Sequence, residues 1–105
     1  MALRKAKEIV STNPVVVFGS TNCPFCVEMK QLFNQVGASY KLIELDKESD
    51  GGEILAVLAE WTGVWILPKV FIGGIYIGGS DTTTVMYANG QLIPLLIEAG
   101  AYGKS

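Results

Sequence analysis

Two cysteines carry most of the chemistry available to this chain. Cys23 and Cys26 are the only ones in 105 residues, and they stand in the run Cys23-Pro24-Phe25-Cys26. At the start of a helix, the i, i+3 spacing places both thiols on one face, within reach of a disulfide. The first thiol then lies among the unpaired N–H groups and the positive dipole end of the helix, which favours thiolate over thiol. Pro24 suits the first helical position, where its missing N–H costs nothing and its φ is already helical. Such a pair reads as a redox motif for thiol–disulfide exchange. Two plainer roles compete. A purely structural disulfide closing so short a loop gains little from restricting the unfolded chain. Half of a zinc site is the other. A closed zinc site wants four ligands, and with no histidine in the chain only a dimer could assemble them from Cys and His.

The pair needs a strand in front and a helix behind. Val15-Val16-Val17-Phe18 is short, continuous and β-branched, which predicts a buried strand, and Gly19-Ser20-Thr21-Asn22 is the turn that delivers Cys23. Behind it, Met29, Leu32, Phe33 and Val36 recur on one helical face, with Glu28, Lys30 and Gln31 outward and Gly37 as the C-cap. Before the strand, Leu3, Ala6, Ile9 and Val10 mark a first helix that ends at Asn13-Pro14. Tyr40 to Leu45 alternates as a second strand, and Asp46 to Gly52 reads as polar loop. Ile54, Leu55, Val57, Leu58 and Trp61 form the apolar face of a third helix, stopped near Gly63. Lys69-Val70-Phe71-Ile72 and Ile75-Tyr76-Ile77, joined by Gly73-Gly74, make a hairpin. Gly78-Gly79-Ser80-Asp81 starts a fourth helix with capping residues in place, and Gln91 to Ala99 is a fifth with Pro94 in its first turn.

The order α-β-α-β-α-β-β-α-α predicts an α/β fold in one domain spanning 1–105. The first two strands are parallel, the last two antiparallel, and helices cover both faces of a small four-stranded mixed sheet. Half the residues are apolar, 17% are charged and the mean hydropathy is +0.36, the composition of a globular protein with a single core. The net charge of −2, with no basic cluster beyond Arg4-Lys5-Lys7, argues against nucleic acid as a partner. No apolar run approaches a membrane span, and the first residues lack the features of a signal or transit peptide. With a C-x-x-C, a reducing compartment is expected: the cytoplasm, with the nucleus as alternative. The terminal Gly103-Lys104-Ser105 looks like the end of a phosphate loop, but Glu98 stands where that motif needs glycine and no helix follows.

Cys23-Pro24-Phe25-Cys26, then Leu67-Pro68 before a hairpin, then Gly78-Gly79-Ser80-Asp81, together resemble a glutaredoxin over nearly the whole chain. The tail from Leu92 to Ala101 is similar to that of land-plant CC-type glutaredoxins. The resemblance implies a thioredoxin-like fold, with Pro68 as a cis-proline facing Cys23. It implies catalysis by Cys23 and Cys26, and a glutathione groove formed by Leu67, Pro68, Ser80 and Asp81. Glutathione would be the reducing cosubstrate, partners would be glutathionylated or disulfide-bonded proteins, and a monomer without metal is expected.

The departures from the family pattern bear on affinity. Ser20 stands where a lysine is common, Val64 and Trp65 where Gln or Arg is common, Ile66-Leu67-Pro68 replaces Thr-Val-Pro, and Thr82 replaces a second Asp. Lost charge-assisted contacts are worth about 1.5–3 kcal/mol each when desolvated, so weak glutathione binding is expected. Lys69 is a candidate replacement cation. Trp65 would either pack at the groove edge or touch ligand. Two other functions fit the resemblance: a glutathione-ligated [2Fe–2S] dimer, which Pro24 disfavours because members with Gly or Ser there are the ones that assemble clusters, and a redox adaptor binding a protein partner.

Overall fold

In the computed structural model, which describes residues 2–102, the central element is β1 (Val15–Gly19), buried along its whole length. It pairs in parallel with β2 (Lys41–Glu44) and antiparallel with β3 (Lys69–Ile72), which forms a hairpin with β4 (Ile75–Gly78). The sheet order is β2-β1-β3-β4. Five helices surround it: α1 (Ala2–Thr12), α2 (Pro24–Val36), α3 (Gly51–Thr62), α4 (Ser80–Ala88) and α5 (Leu92–Glu98). This is the thioredoxin-like α/β arrangement expected.

A strand's side chains alternate between its two faces, so a run without polar residues is stable only when both faces are covered. On one face Val16, Phe18 and Phe71 meet Ala6 and Val10 of α1 and Ile54 and Leu58 of α3. On the other, Val15, Val17, Val70 and Ile72 meet Met29 and Phe33 of α2 and Leu92 and Leu96 of α5. Burying each of the Val, Leu, Ile, Phe and Met side chains among these contributes about 1.5–3 kcal/mol. Gly73 and Gly74 both take positive φ, 61° and 82°, as the tight hairpin turn between β3 and β4 requires.

The first helix forms as expected, with Ala6 and Val10 fully buried and Leu3 exposed. Other expectations need correcting. Residues 46–52 are not all loop: Leu45–Lys47 forms a single 3-10 turn and α3 already begins at Gly51. That turn folds so tightly onto the helix start that a Cβ on Gly51 would lie 1.8 Å from the Leu45 carbonyl oxygen, so glycine serves packing there. α4 is capped by Gly79 without any side-chain cap, and Ser80 and Asp81 are its first residues. Gln91 caps α5, which begins one residue later. Trp61 is only partly covered, its ring 5.1 Å from that of Phe71 and beneath the Lys7 ammonium at 5.4 Å. The Gly103-Lys104-Ser105 fragment lies outside the described residues. No helix among the described residues is long and apolar enough to cross a membrane.

Candidate active site

The site assembles at the C-terminal end of β1. Cys23 is the N-cap of α2, extended at φ −108° and ψ 109°, with Pro24 at the first helical position. Its sulfur accepts the Cys26 N–H at 3.1 Å, and its carbonyl accepts the N–H groups of Cys26 and Val27, each at 3.1 Å. Donors aimed at the sulfur stabilise negative charge on it and so favour its thiolate. The two cysteines are joined as a disulfide, Cα atoms 5.1 Å apart. Their surroundings differ. Cys23 is half-buried at the surface, whereas Cys26 is 4% exposed.

Two features that the chain's pattern did not reveal hold this geometry. The carboxylate of Asp46, in the 3-10 turn, accepts the Thr21 N–H at 3.0 Å and the Thr21 hydroxyl, bracing the turn before Cys23 from the far side of the β1–β2 crossover. The Thr21 hydroxyl, followed by the backbone N–H, holds the Asp46 carboxyl below its ordinary value. The contact joins residues far apart in sequence, so no local signal announces it. Gly19, the last residue of β1, leaves room for Cys26: a Cβ there would lie 3.0 Å from the Cys26 sulfur. Ser20 uses its hydroxyl within the turn, accepting the Asn22 N–H at 3.3 Å.

Opposite Cys23, the Leu67–Pro68 peptide bond is cis. The Leu67 carbonyl oxygen is 3.9 Å from the Cys23 sulfur. From there a groove of about 510 Å³ runs along Pro68, Tyr76 and Gly79 to Ser80 and Asp81, with Phe25 on its wall. All four residues expected to bind ligand, Leu67, Pro68, Ser80 and Asp81, therefore line one groove beside Cys23. Its far end is the start of α4, where the N–H groups of Ser80, Asp81 and Thr82 precede the first intrahelical bond, from Thr83 to Gly79. Such a helix start suits a carboxylate.

The expected replacement cation is not in the groove. Lys69 is buried; its ammonium donates to the Val64 carbonyl and lies 5.7 Å from the centre of the Tyr76 ring. Burial pushes its pKa down and that of Tyr76 up. Trp65 is 64% exposed and is not among the residues lining the groove.

A family model, Glutaredoxin, matches residues 15–77 of this chain, from the start of β1 into β4. The chain belongs to the glutaredoxin family. A glutaredoxin of Ricinus communis is 59% identical over 96% of this chain and 99% of its own length. Glutaredoxin-C2 of Arabidopsis thaliana is 56% identical over 96% of this chain and 91% of its own. Among solved structures, a buckwheat glutaredoxin–glutathione complex superposes with a TM-score of 0.96 at 50% identity, covering 98% of this chain and 94% of that one. This glutaredoxin is thus a thiol–disulfide oxidoreductase of a family that uses glutathione as cosubstrate, with Cys23 and Cys26 as its dithiol pair.

Proposed function

We propose that this glutaredoxin reduces glutathione mixed disulfides, with Cys23 as nucleophile. The observation that carries the reading is the half-buried Cys23 at a helix N-cap, its sulfur 3.9 Å from the carbonyl of Leu67, which begins the groove running to Asp81. A mixed disulfide places its glutathione along that groove, pairing with the Leu67 backbone. The γ-glutamyl carboxylate lies on the N–H groups at the start of α4, and its ammonium meets Asp81. The Cys23 thiolate attacks the glutathione sulfur, a Cys23–glutathione disulfide forms, and the substrate leaves as a thiolate that takes up a proton. A second glutathione thiolate then attacks the glutathione sulfur, giving oxidised glutathione and regenerating the Cys23 thiolate. In the alternative exit Cys26 attacks Cys23, expels glutathione and leaves the Cys23–Cys26 disulfide. The chain has no histidine, so the rate rests on the standing thiolate fraction rather than on an imidazole base.

Glutathione is held weakly in this reading. Ser20, Val64 and Trp65 bring no charge to the groove, and Lys69 spends its ammonium inside the domain. The buckwheat glutaredoxin–glutathione complex supports glutathione as the occupant, since the two chains superpose with a TM-score of 0.96 over 98% of this chain. The deciding experiment is reduction of the mixed disulfide of glutathione and 2-mercaptoethanol, coupled through glutathione reductase. The expected result is turnover that saturates at high glutathione concentration. Absence of turnover by fully reduced, folded protein would remove this reading.

A further inference from the structure

Beside the opening over Cys23, the chain puts apolar side chains into water. Trp65 is 64% exposed, Ile66 is 72% exposed and Phe25 is more than half exposed. Phe25 and Ile66 line the groove that ends at Leu67, whose carbonyl faces the Cys23 sulfur. Among the described residues the Trp65 ring stacks on no other ring and no cation lies over it.

This exposure is held in place from beneath. The Thr62 hydroxyl donates to the Leu58 carbonyl at 2.8 Å and accepts the Val64 N–H at 3.3 Å. The Lys69 ammonium then takes the Val64 carbonyl, and Pro68 anchors the other end of the segment as a buried residue. A segment tied at both ends presents its side chains with little further ordering cost on binding. Of the residues lining the groove, only Asp81 carries a charge.

The occupant of this surface follows from the reaction. A disulfide that reaches Cys23 from a polypeptide brings the residues flanking its cysteine over the 65–66 segment, because Leu67 is the residue that faces the sulfur. We infer that Trp65 and Ile66, with Phe25, form a docking surface for the polypeptide of a disulfide substrate, and select chains with apolar residues beside the reacting cysteine. This deepens the proposed function by naming the substrate class of the same site, and rests on the part of it that makes Cys23 the nucleophile.

The test leaves glutathione out, so its outcome is separate from that of the coupled assay. Reduced protein is mixed with peptides of equal length whose central cysteine is carried as a mixed disulfide with thionitrobenzoate, flanked by either leucines or serines. Cys23 attacks the peptide sulfur and displaces thionitrobenzoate, whose colour reports the rate; Cys26 then releases the peptide thiol. The leucine peptide is expected to react about tenfold faster, equivalent to ~1.4 kcal/mol of apolar contact. In a Trp65→Ser, Ile66→Ser protein the ratio falls to within about twofold, whatever the absolute rates. Equal rates for the two peptides with the parent protein, or a ratio that survives the double substitution, would overturn the inference.

Discussion

Replacing Gly19 by alanine tests whether the end of β1 is shaped around the second cysteine. The added Cβ would sit 3.0 Å from the Cys26 sulfur, 3.1 Å from the Cys26 Cβ and 3.9 Å from Leu42 Cδ1. Non-bonded carbon contacts settle near about 3.5–4.0 Å, so Cys26 has to retreat by several tenths of an ångström. It has little freedom to do so, being buried in the first turn of α2 with its N–H held by Cys23. Overpacking of this kind costs about 1–3 kcal/mol. Two terms could offset it. Gly19 does not have positive φ, so alanine adds no backbone strain there, and the loss of unfolded-state freedom stabilises by about 0.4–1 kcal/mol. The steric term wins, for a net loss of about 0.5–2 kcal/mol. Urea denaturation under reducing conditions measures it without any contribution from the disulfide. In a Cys26→Ala background the sulfur contact is gone and only the Cβ contact remains, so the penalty shrinks, with a coupling of about 0.5 kcal/mol or more. A Gly19→Ala protein no less stable than its parent, or a penalty undiminished without the sulfur, would refute the reasoning.

Three further outcomes follow from the same geometry. Cys23→Ser abolishes reduction of glutathione mixed disulfides while Cys26→Ser retains much of it, because the Cys23 sulfur lies beside Leu67 of the groove whereas Cys26 is buried; equal losses in the coupled assay would contradict the assignment. Asp46 has its pKa lowered in the folded state by Thr21, so its contribution to stability is present above its ordinary value of 3.8 and is lost as pH falls through the lower folded value. Urea midpoints of the parent and Asp46→Asn therefore converge on acidification below that value, and a constant difference would show that the Thr21 bonds are energetically idle. Pro24 fixes the backbone immediately after Cys23, so anaerobic reconstitution with iron, sulfide and glutathione leaves the parent colourless. Pro24→Gly is the single change expected to permit a cluster, and stoichiometric iron on the parent would overturn that expectation.

What could be read from the chain depended on whether its cause was local. Val15 to Phe18 declared itself because a strand covered on both faces favours a continuous apolar run, and the structure buries all four. Gly37 and Gly63 end their helices at positive φ, 78° and 79°, as a helix C-cap favours. The 45–51 segment misled for the opposite reason. Its polar composition reports solvent exposure of Asp46, Lys47 and Glu48, while the constraint that shapes it is the Gly51 backbone pressed against Leu45. Capping at α4 misled similarly: Ser80 and Asp81 have the right chemistry for an N-cap but lie one and two residues too late.

The site divides along the same line. A C-x-x-C between a strand and a helix states its own chemistry, and the structure adds the asymmetry between a half-buried and a fully buried cysteine. Placing Leu67, Pro68, Ser80 and Asp81 in one groove required the family resemblance, since nothing local connects them. Lys69 shows why charge alone is a poor guide. In β3 it shares a face with Phe71, two residues on, which packs against Tyr76 and Trp61. Its side chain is therefore carried under the 64–67 segment rather than into solvent. The cation that composition offers to the groove is spent on holding the Val64 carbonyl, and the groove keeps Asp81 as its only charge. An anionic ligand consequently has backbone N–H groups but no side-chain cation to meet it, while the segment that Lys69 tethers presents Trp65 and Ile66. The same burial that withholds a cation from the groove thus tethers the segment that exposes Trp65 and Ile66.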